Sequence, residues 1–230
     1  MAKLTYQREA LEELYRRLPP ARRDEMALPS YLHRNPLIRW LVARRINVVL
    51  DLLDFRPGQS VLDFGCGAGM LLLQLPPGGG FYYGVDLLIW PAQQFLAAHG
   101  RGDPVLLEAA GWPQQVPAGG LDSIVALEVL EHVEDVPEVL RLFRRKLKPE
   151  GRLIVSGPTE NFLYQLGRRI AGFSGEYHHR DIFEIVGDVE GAGFSPEKQV
   201  RLPLPGPLAL FLIGVYRPVR AAPPGSPDTG

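Results

Sequence analysis

The stretch "VLDFGCGAG" at positions 61 to 69 constrains the fold more than any other part of the 230-residue chain. A short apolar run that ends in glycines at 65, 67 and 69 is how a buried parallel strand hands over to a tight turn, because glycine adopts the required backbone angles without steric cost. Seventeen residues after Gly69, a second apolar run ends in Asp86. Strand, glycine turn and a carboxylate closing the next strand make the frame on which open α/β sheets bind nucleotides. Several classes of nucleotide share that frame.

Around it, strand-like and helix-like segments alternate. Strands are expected at Ser60 to Phe64, Phe81 to Val85, Pro104 to Leu107, Ser123 to Leu127 and Arg152 to Ser156. Helical periodicity marks residues 7 to 18 and 36 to 54, the second with Ile38, Leu41, Val42, Ile46, Val49, Leu50 and Leu53 at spacings of three and four. "PPARRDEMALPS" between them reads as a Pro-rich connection. Asp135 with Glu138, and Asp181 with Glu184, have the D-x-x-E spacing of a capping box and open two further helices. Such alternation gives an α/β fold, a Rossmann-like doubly wound sheet with helices on both faces. Near the end, "PEKQVRL" and "LALFLIGVY" are two strands joined by "PLPGP", a link so short that they pair antiparallel.

Composition narrows the setting. With 46% hydrophobic and 22% charged residues the chain supports one substantial core. Residues 1–54 form an N-terminal helical segment, expected as part of a substrate cover; 55–220 form the main domain, with a lid-like insertion at about 157–180; 221–230 read as a disordered tail. Cys66 is the only cysteine, which fits a reducing, cytoplasmic setting, and no run of apolar residues has the length of a membrane span. Charge is uneven: residues 1–54 sum to +3, 55–138 to −8 and 139–230 to +4. An acidic centre disfavours a polyanion there, so no nucleic acid partner is expected. The Arg pairs at 16–17, 44–45 and 168–169 read as solvated helix faces, with an acidic substrate, a membrane surface or RNA as the alternatives.

The glycines follow G-x-G-x-G, with Met70 where a dinucleotide fingerprint has its third glycine. Asp63, two positions before Gly65, would repel a pyrophosphate, and no G-K-[ST] follows. Taken singly, Asp63 is also a turn or capping aspartate and the glycines a tight turn. Together with Asp86, an acceptor for a pair of ribose hydroxyls, they favour a nucleoside that carries a positive group. S-adenosylmethionine, with an ammonium, a sulfonium and one carboxylate, has that character.

"VLDFGCGAG", "GVD", "LDSIVALEVLEHVED" and "LFRRKLKPEGRLIVSGP" resemble, in order and spacing, the class I S-adenosylmethionine-dependent methyltransferases, over about residues 40 to 216. The resemblance implies a seven-stranded sheet whose last strand is antiparallel, and S-adenosyl-L-methionine as cofactor. Carried over residue by residue, it implies that Asp63, Gly65, Cys66, Gly67 and Gly69 hold the amino acid end. Asp86 would take the ribose, with Leu87 beside the adenine; Glu108 and Ala109 are the nearest match for further adenine contacts, and Leu127 and Glu128 would lie near the methionine portion. The "LEHV" element is similar to that of ubiquinone-biosynthesis-type O-methyltransferases.

Methyl transfer from a sulfonium depends chiefly on aligning the acceptor, and a protein base is needed only where the acceptor must lose a proton. His132 is the candidate base, with a backbone-bonded helix-start histidine as the alternative. His178 and His179 are adjacent, a poor arrangement for sharing one ion, so no metal is expected; a substrate-side loop or capping turn fits better. Tyr164, Arg168 and Tyr177, in the insertion after the fifth strand, are candidates with this His pair for contacting the acceptor; a lid helix with its arginines in water is the competing reading. The expectation is therefore an enzyme that methylates a small, lipophilic or aromatic acceptor at oxygen, with peripheral membrane contact compatible with such an acceptor. The alternatives are an RNA or protein methyltransferase, although no "NPPY" site is present, and a non-catalytic nucleotide-binding module. Nothing in the sequence bears on the oligomeric state.

Overall fold

The computed structural model describes residues 4–159, 161, 164 and 180–219. Most of the expected insertion and the 221–230 tail lie outside the described residues. Seven strands form one sheet: β1 (Ser60–Phe64), β2 (Phe81–Asp86), β3 (Val105–Glu108), β4 (Leu121–Leu127), β5 (Leu147–Pro158), β6 (Phe194–Leu202) and β7 (Phe211–Pro218). Their order is β3-β2-β1-β4-β5-β7-β6, with β7 antiparallel to both of its neighbours and the other pairs parallel.

Alternation along the strands divides the core into two layers. Leu62 and Phe64 of β1, Ile124 and Ala126 of β4, and Leu153 and Val155 of β5 face one cluster, which is completed by Trp112, Phe143 and Ile182. Val61, Val125 and Ile154, each next in sequence to one of these, face the other, with Val49, Leu53, Leu72 and Leu96. Side chains that alternate across a sheet with both faces covered produce this pattern. The covering helices on the first side are α7 (Trp112–Gln115), α8 (Val136–Lys146) and α9 (Ile182–Gly191), and on the second α4 (Pro36–Leu53), α5 (Met70–Gln74) and α6 (Trp90–Ala98).

Capping residues set several of these boundaries. The Asn35 side chain accepts from Leu37 N at 2.9 Å and Pro36 fills the first turn of α4, where its missing N–H costs nothing. Asp181 and Glu184 form the full reciprocal capping box of α9. Asp135 caps α8 through Glu138 N, but the Glu138 carboxylate turns to Arg141 and Arg145.

Two elements differ from the sequence expectation. The Pro-rich 19–30 segment is helical: α2 (Pro20–Glu25) and α3 (Leu28–Leu32) each carry proline in the first turn, so the prolines start helices there. β5 begins at Leu147, directly after α8, because Leu147 pairs with Leu121 ahead of a register shift. With α1 (Arg8–Arg17), the N-terminal helices bury Leu11, Leu14, Leu28 and Tyr31 against Val42, Ala68, Met70 and Phe95. That packing brings α2 and α3 over the glycine turn.

Candidate functional site

A cleft of about 620 Å³ opens beyond the carboxyl ends of β1, β2 and β4, the usual ligand position of an open α/β sheet. Its base is the glycine turn. Gly65 and Cys66 both donate backbone N–H groups to Val85 O, at 2.8 and 3.0 Å, which ties the turn to the end of β2. Gly65 has φ +77°, and a Cβ there would lie 2.5 Å from Val129 Cγ2, so conformation and space both demand glycine. Gly67 lies under Met26, whose Cγ is 3.6 Å from where a Cβ would stand.

Two carboxylates shape the electrostatics. Asp86 accepts from Gly67 N at 2.8 Å and from Leu88 N at 3.3 Å, which aims the carboxylate along the turn and leaves lone pairs for a ligand. Asp63 is 3% exposed and lines the cleft, and its carboxyl makes no hydrogen bond to another described residue. Burial, and secondarily the charge of Asp86, pushes its pKa up to about 8. Burial also pushes the Cys66 thiol up, with Asp63 and Asp86 adding to the effect. A buried carboxyl without a partner is what a cationic ligand group would satisfy.

Opposite stands a buried cation, Arg45 of α4, at 3.3 Å from Glu128 Oε2. Burial works against its charge, but Glu128, Tyr31 and Tyr164 outweigh that and raise its pKa. The guanidinium lies over the Phe211 ring at 5.0 Å, and its Nε is buried without a hydrogen-bond partner. Glu128 is held in turn: Ser156 Oγ donates to its Oε1 at 2.6 Å, its own N–H donates to Ser156 O at 3.0 Å, and its backbone is left-handed at φ +51°. A non-glycine residue in that region stores on the order of 1–3 kcal/mol of strain, as is common at functional sites. Leu87, Ala109, Trp112, Pro113, Val133 and Leu142 supply apolar lining to the cleft.

Of the residues singled out in the sequence, Asp63, Gly65, Cys66, Gly67, Asp86, Leu87, Ala109, Leu127, Glu128 and His132 all line this cleft. Gly69 and Glu108 do not. Gly69 precedes α5 with φ +78° and packs on Leu96, and Glu108 is an exposed side chain at the end of β3. His132 ends the short 3-10 turn Leu130–His132. Tyr164 packs edge-on against Phe211, next to Arg45. Arg168, Tyr177, His178 and His179 lie outside the described residues.

The sequence reading missed Arg22, Met26, Tyr31 and Arg45, all of which line the cleft, along with Trp112. For Arg45 a signal was available. It falls on the helical stripe of Leu41, Val48, Val49 and Leu52, at offsets of three, four and seven, so only Arg44 of that pair is on the outer side.

Comparison with known proteins follows the same lines. A family model described as "Methyltransferase domain" matches residues 5–198. The ubiquinone biosynthesis O-methyltransferase of Bradyrhizobium diazoefficiens is 34% identical over 141 residues, 57% of this chain and 54% of its own length. A phosphoethanolamine N-methyltransferase of Triticum aestivum is 33% identical over 139 residues, 52% of this chain and 26% of its own. The chain therefore spans between about a quarter and about a half of the length of these curated relatives. Among solved structures, magnesium protoporphyrin IX methyltransferase from Synechocystis, with bound SAH, shares the fold with a TM-score of 0.60 at 19% identity, covering 91% of this chain and 93% of that one.

Proposed function

This chain belongs to the methyltransferase domain family, and from that premise we propose that it transfers a methyl group from S-adenosylmethionine to a small, lipophilic or aromatic acceptor. The observation that carries the reading is the charge arrangement of the cleft: a buried, unpartnered carboxyl at Asp63, a carboxylate at Asp86 and a buried cation at Arg45. An α-amino acid joined to a nucleoside is complementary to that set. Asp63 would take the ammonium, Arg45 the carboxylate through its free Nε, and Asp86 the two ribose hydroxyls. The apolar side chains of Leu87, Ala109 and Trp112 would cover the adenine. A pyrophosphate fits poorly, because Asp63 and Asp86 would both face it.

When bound, the cofactor supplies an electrophilic methyl group on a sulfonium, which needs no activation. The chain's work is then alignment and exclusion of water. Met26 and Tyr31 of the N-terminal cover close the cleft from above, and Glu128, fixed by Ser156 and Arg45, presents a rigid wall at the methionine end. His132 lines the same cleft and would accept the proton of a hydroxyl acceptor as the carbon–oxygen bond forms. The name of the Bradyrhizobium relative supports oxygen as the receiving atom, and that of the wheat relative supports a second reading, nitrogen.

Calorimetric titration with S-adenosylmethionine, S-adenosylhomocysteine and NAD tests the cofactor. Binding of the first two alone is expected, and binding of NAD alone would overturn the assignment. An acceptor screen with labelled methyl groups then separates the two atoms. His132→Asn should abolish transfer to a hydroxyl while leaving cofactor affinity unchanged; full activity in that variant would favour an amine acceptor.

A further inference from the structure

The cleft opens at one end of the sheet, and the surface around its mouth is unusual in composition. Leu37 and Trp40 on α4 are 64% and 51% exposed, and Leu204 and Leu208 in the turn from β6 to β7 are 53% and 49% exposed. Scattered exposed apolar residues need no explanation, but the elements that carry these four reach the same end of the sheet. α4 leads into the amino end of β1, so its first turn projects past the carboxyl ends of the strands. Arg45 lies over Phe211, the first residue of β7, and Leu37 is eight residues earlier, about 12 Å further out along the helix axis. The β6-to-β7 turn leaves the sheet at that same end.

The rim is also basic. Arg44 follows Leu37 and Trp40 at spacings of seven and four on the outer stripe of α4, Arg34 is exposed just before the helix, and Arg201 is exposed near the end of β6. None of the three is ion-paired to a described residue. Asp51, the carboxylate on that stripe, lies two turns further along, away from the mouth.

We propose that this rim docks on an anionic lipid bilayer, with Leu37, Trp40, Leu204 and Leu208 inserted at headgroup level and Arg34, Arg44 and Arg201 against lipid phosphates. An indole and leucines interleaved with guanidiniums are the composition of an interfacial anchor, and charge complementarity selects an acidic surface. Among the described residues no helix is long and apolar enough to cross a membrane, so the contact is peripheral. It would turn the mouth of the cleft toward the bilayer. The proposal does not rest on methyl transfer, because docking is measured without cofactor or acceptor.

The test is co-sedimentation of the full chain with vesicles of phosphatidylcholine alone or mixed with phosphatidylglycerol, at low and at near-physiological salt. Binding to the phosphatidylglycerol vesicles, weakened by salt, is expected. Leu37→Ser with Trp40→Ser, and Leu204→Ser with Leu208→Ser, should each lower the partition coefficient by at least about tenfold. Arg34→Glu with Arg44→Glu should remove the preference for the acidic lipid. All of these side chains are exposed except Arg44, which is half-buried, so thermal melting should show all three variants folded; a blue shift of wild-type tryptophan fluorescence, lost in Trp40→Phe, reads insertion independently. Failure of the wild type to bind acidic vesicles would overturn the proposal, as would binding that none of the variants changes. A wild-type dimer in light scattering that the serine variants dissolve, without vesicle binding, would overturn it in favour of a second copy of the chain.

Discussion

Asp63→Asn should make the protein more stable and less able to bind its cofactor, and both differences should grow as pH rises toward 8. The Asp63 carboxyl titrates at about 8 in the fold because burial removes its water and Asp86 lies near. In the unfolded chain an aspartate titrates near 3.9. Between those values the folded protein holds a proton that the unfolded chain has released, so stability falls as pH rises from about 4 to about 8 and is level above. Four pKa units correspond to about 5 kcal/mol at pH 8, an amount the asparagine variant does not lose. The stability gap between variant and wild type should therefore widen with pH across that window, read as urea midpoints at pH 5 and pH 8.

Cofactor affinity should run the other way. Binding an ammonium requires the ionised carboxylate, so wild-type affinity should climb about twentyfold between pH 6 and 8 and decline above, where the ligand's own α-amino group, near pKa 7.7–8.0, has lost most of its protons. In Asp63→Asn the rise should vanish. Calorimetry in matched buffers measures the affinity, together with the proton released per binding event below pH 7. A wild-type affinity flat from pH 6 to 8, or a variant whose stability gap ignores pH, would refute the reasoning.

Three further outcomes follow from the geometry. Asp86→Ala removes the acceptor for the ribose hydroxyls and the anchor of Gly67 N, so affinity for S-adenosylmethionine should fall at least about a hundredfold; unchanged affinity by calorimetry would sink the ribose assignment. Gly65→Ala should destabilise by more than about 2 kcal/mol in denaturant unfolding, and Val129→Ala in the same chain should return the part due to the clash but not the part due to the positive φ. Arg45→Met removes the ion-pair partner of the half-buried Glu128, leaving it the Ser156 hydroxyl, and should cost about 1–3 kcal/mol; adding Glu128→Gln should recover most of the stability but not the cofactor affinity.

The elements legible in the sequence are those whose side-chain pattern is set by burial on both faces. β1 was readable to the residue because Val61, Leu62 and Phe64 are all core, and the capping box of α9 announced its own start. α2 and α3 were not, since proline reads as a break until one knows that it occupies a first turn. The cofactor side of the cleft was visible because its chemistry is local: glycines and carboxylates close together in the chain. Its other wall was hidden because Tyr31 and Arg45 reach the site only after the N-terminal helices pack on α5 and α6. Charge pairs were misleading in the same way, since Arg44 and Arg45 are identical in composition but opposite in environment, one on the outer stripe and one buried against Glu128 and Phe211.

The cleft is where the chain departs from the rules it follows elsewhere. Asp63 is a buried carboxyl with no hydrogen bond to another described residue, Arg45 leaves a donor unsatisfied, and Glu128 holds a left-handed backbone although it is not glycine. Each costs stability by itself, and all three line one cavity. A ligand that brings an ammonium to Asp63 and a carboxylate to Arg45 relieves two of these costs in one event, so binding should raise the melting temperature by more than its contact area suggests. The increase should shrink in Asp63→Asn, because there the fold has already shed the burden that the ligand would remove. Equal thermal shifts in wild type and variant at equal saturation would mean that the buried charges are structural and that the ligand is held elsewhere.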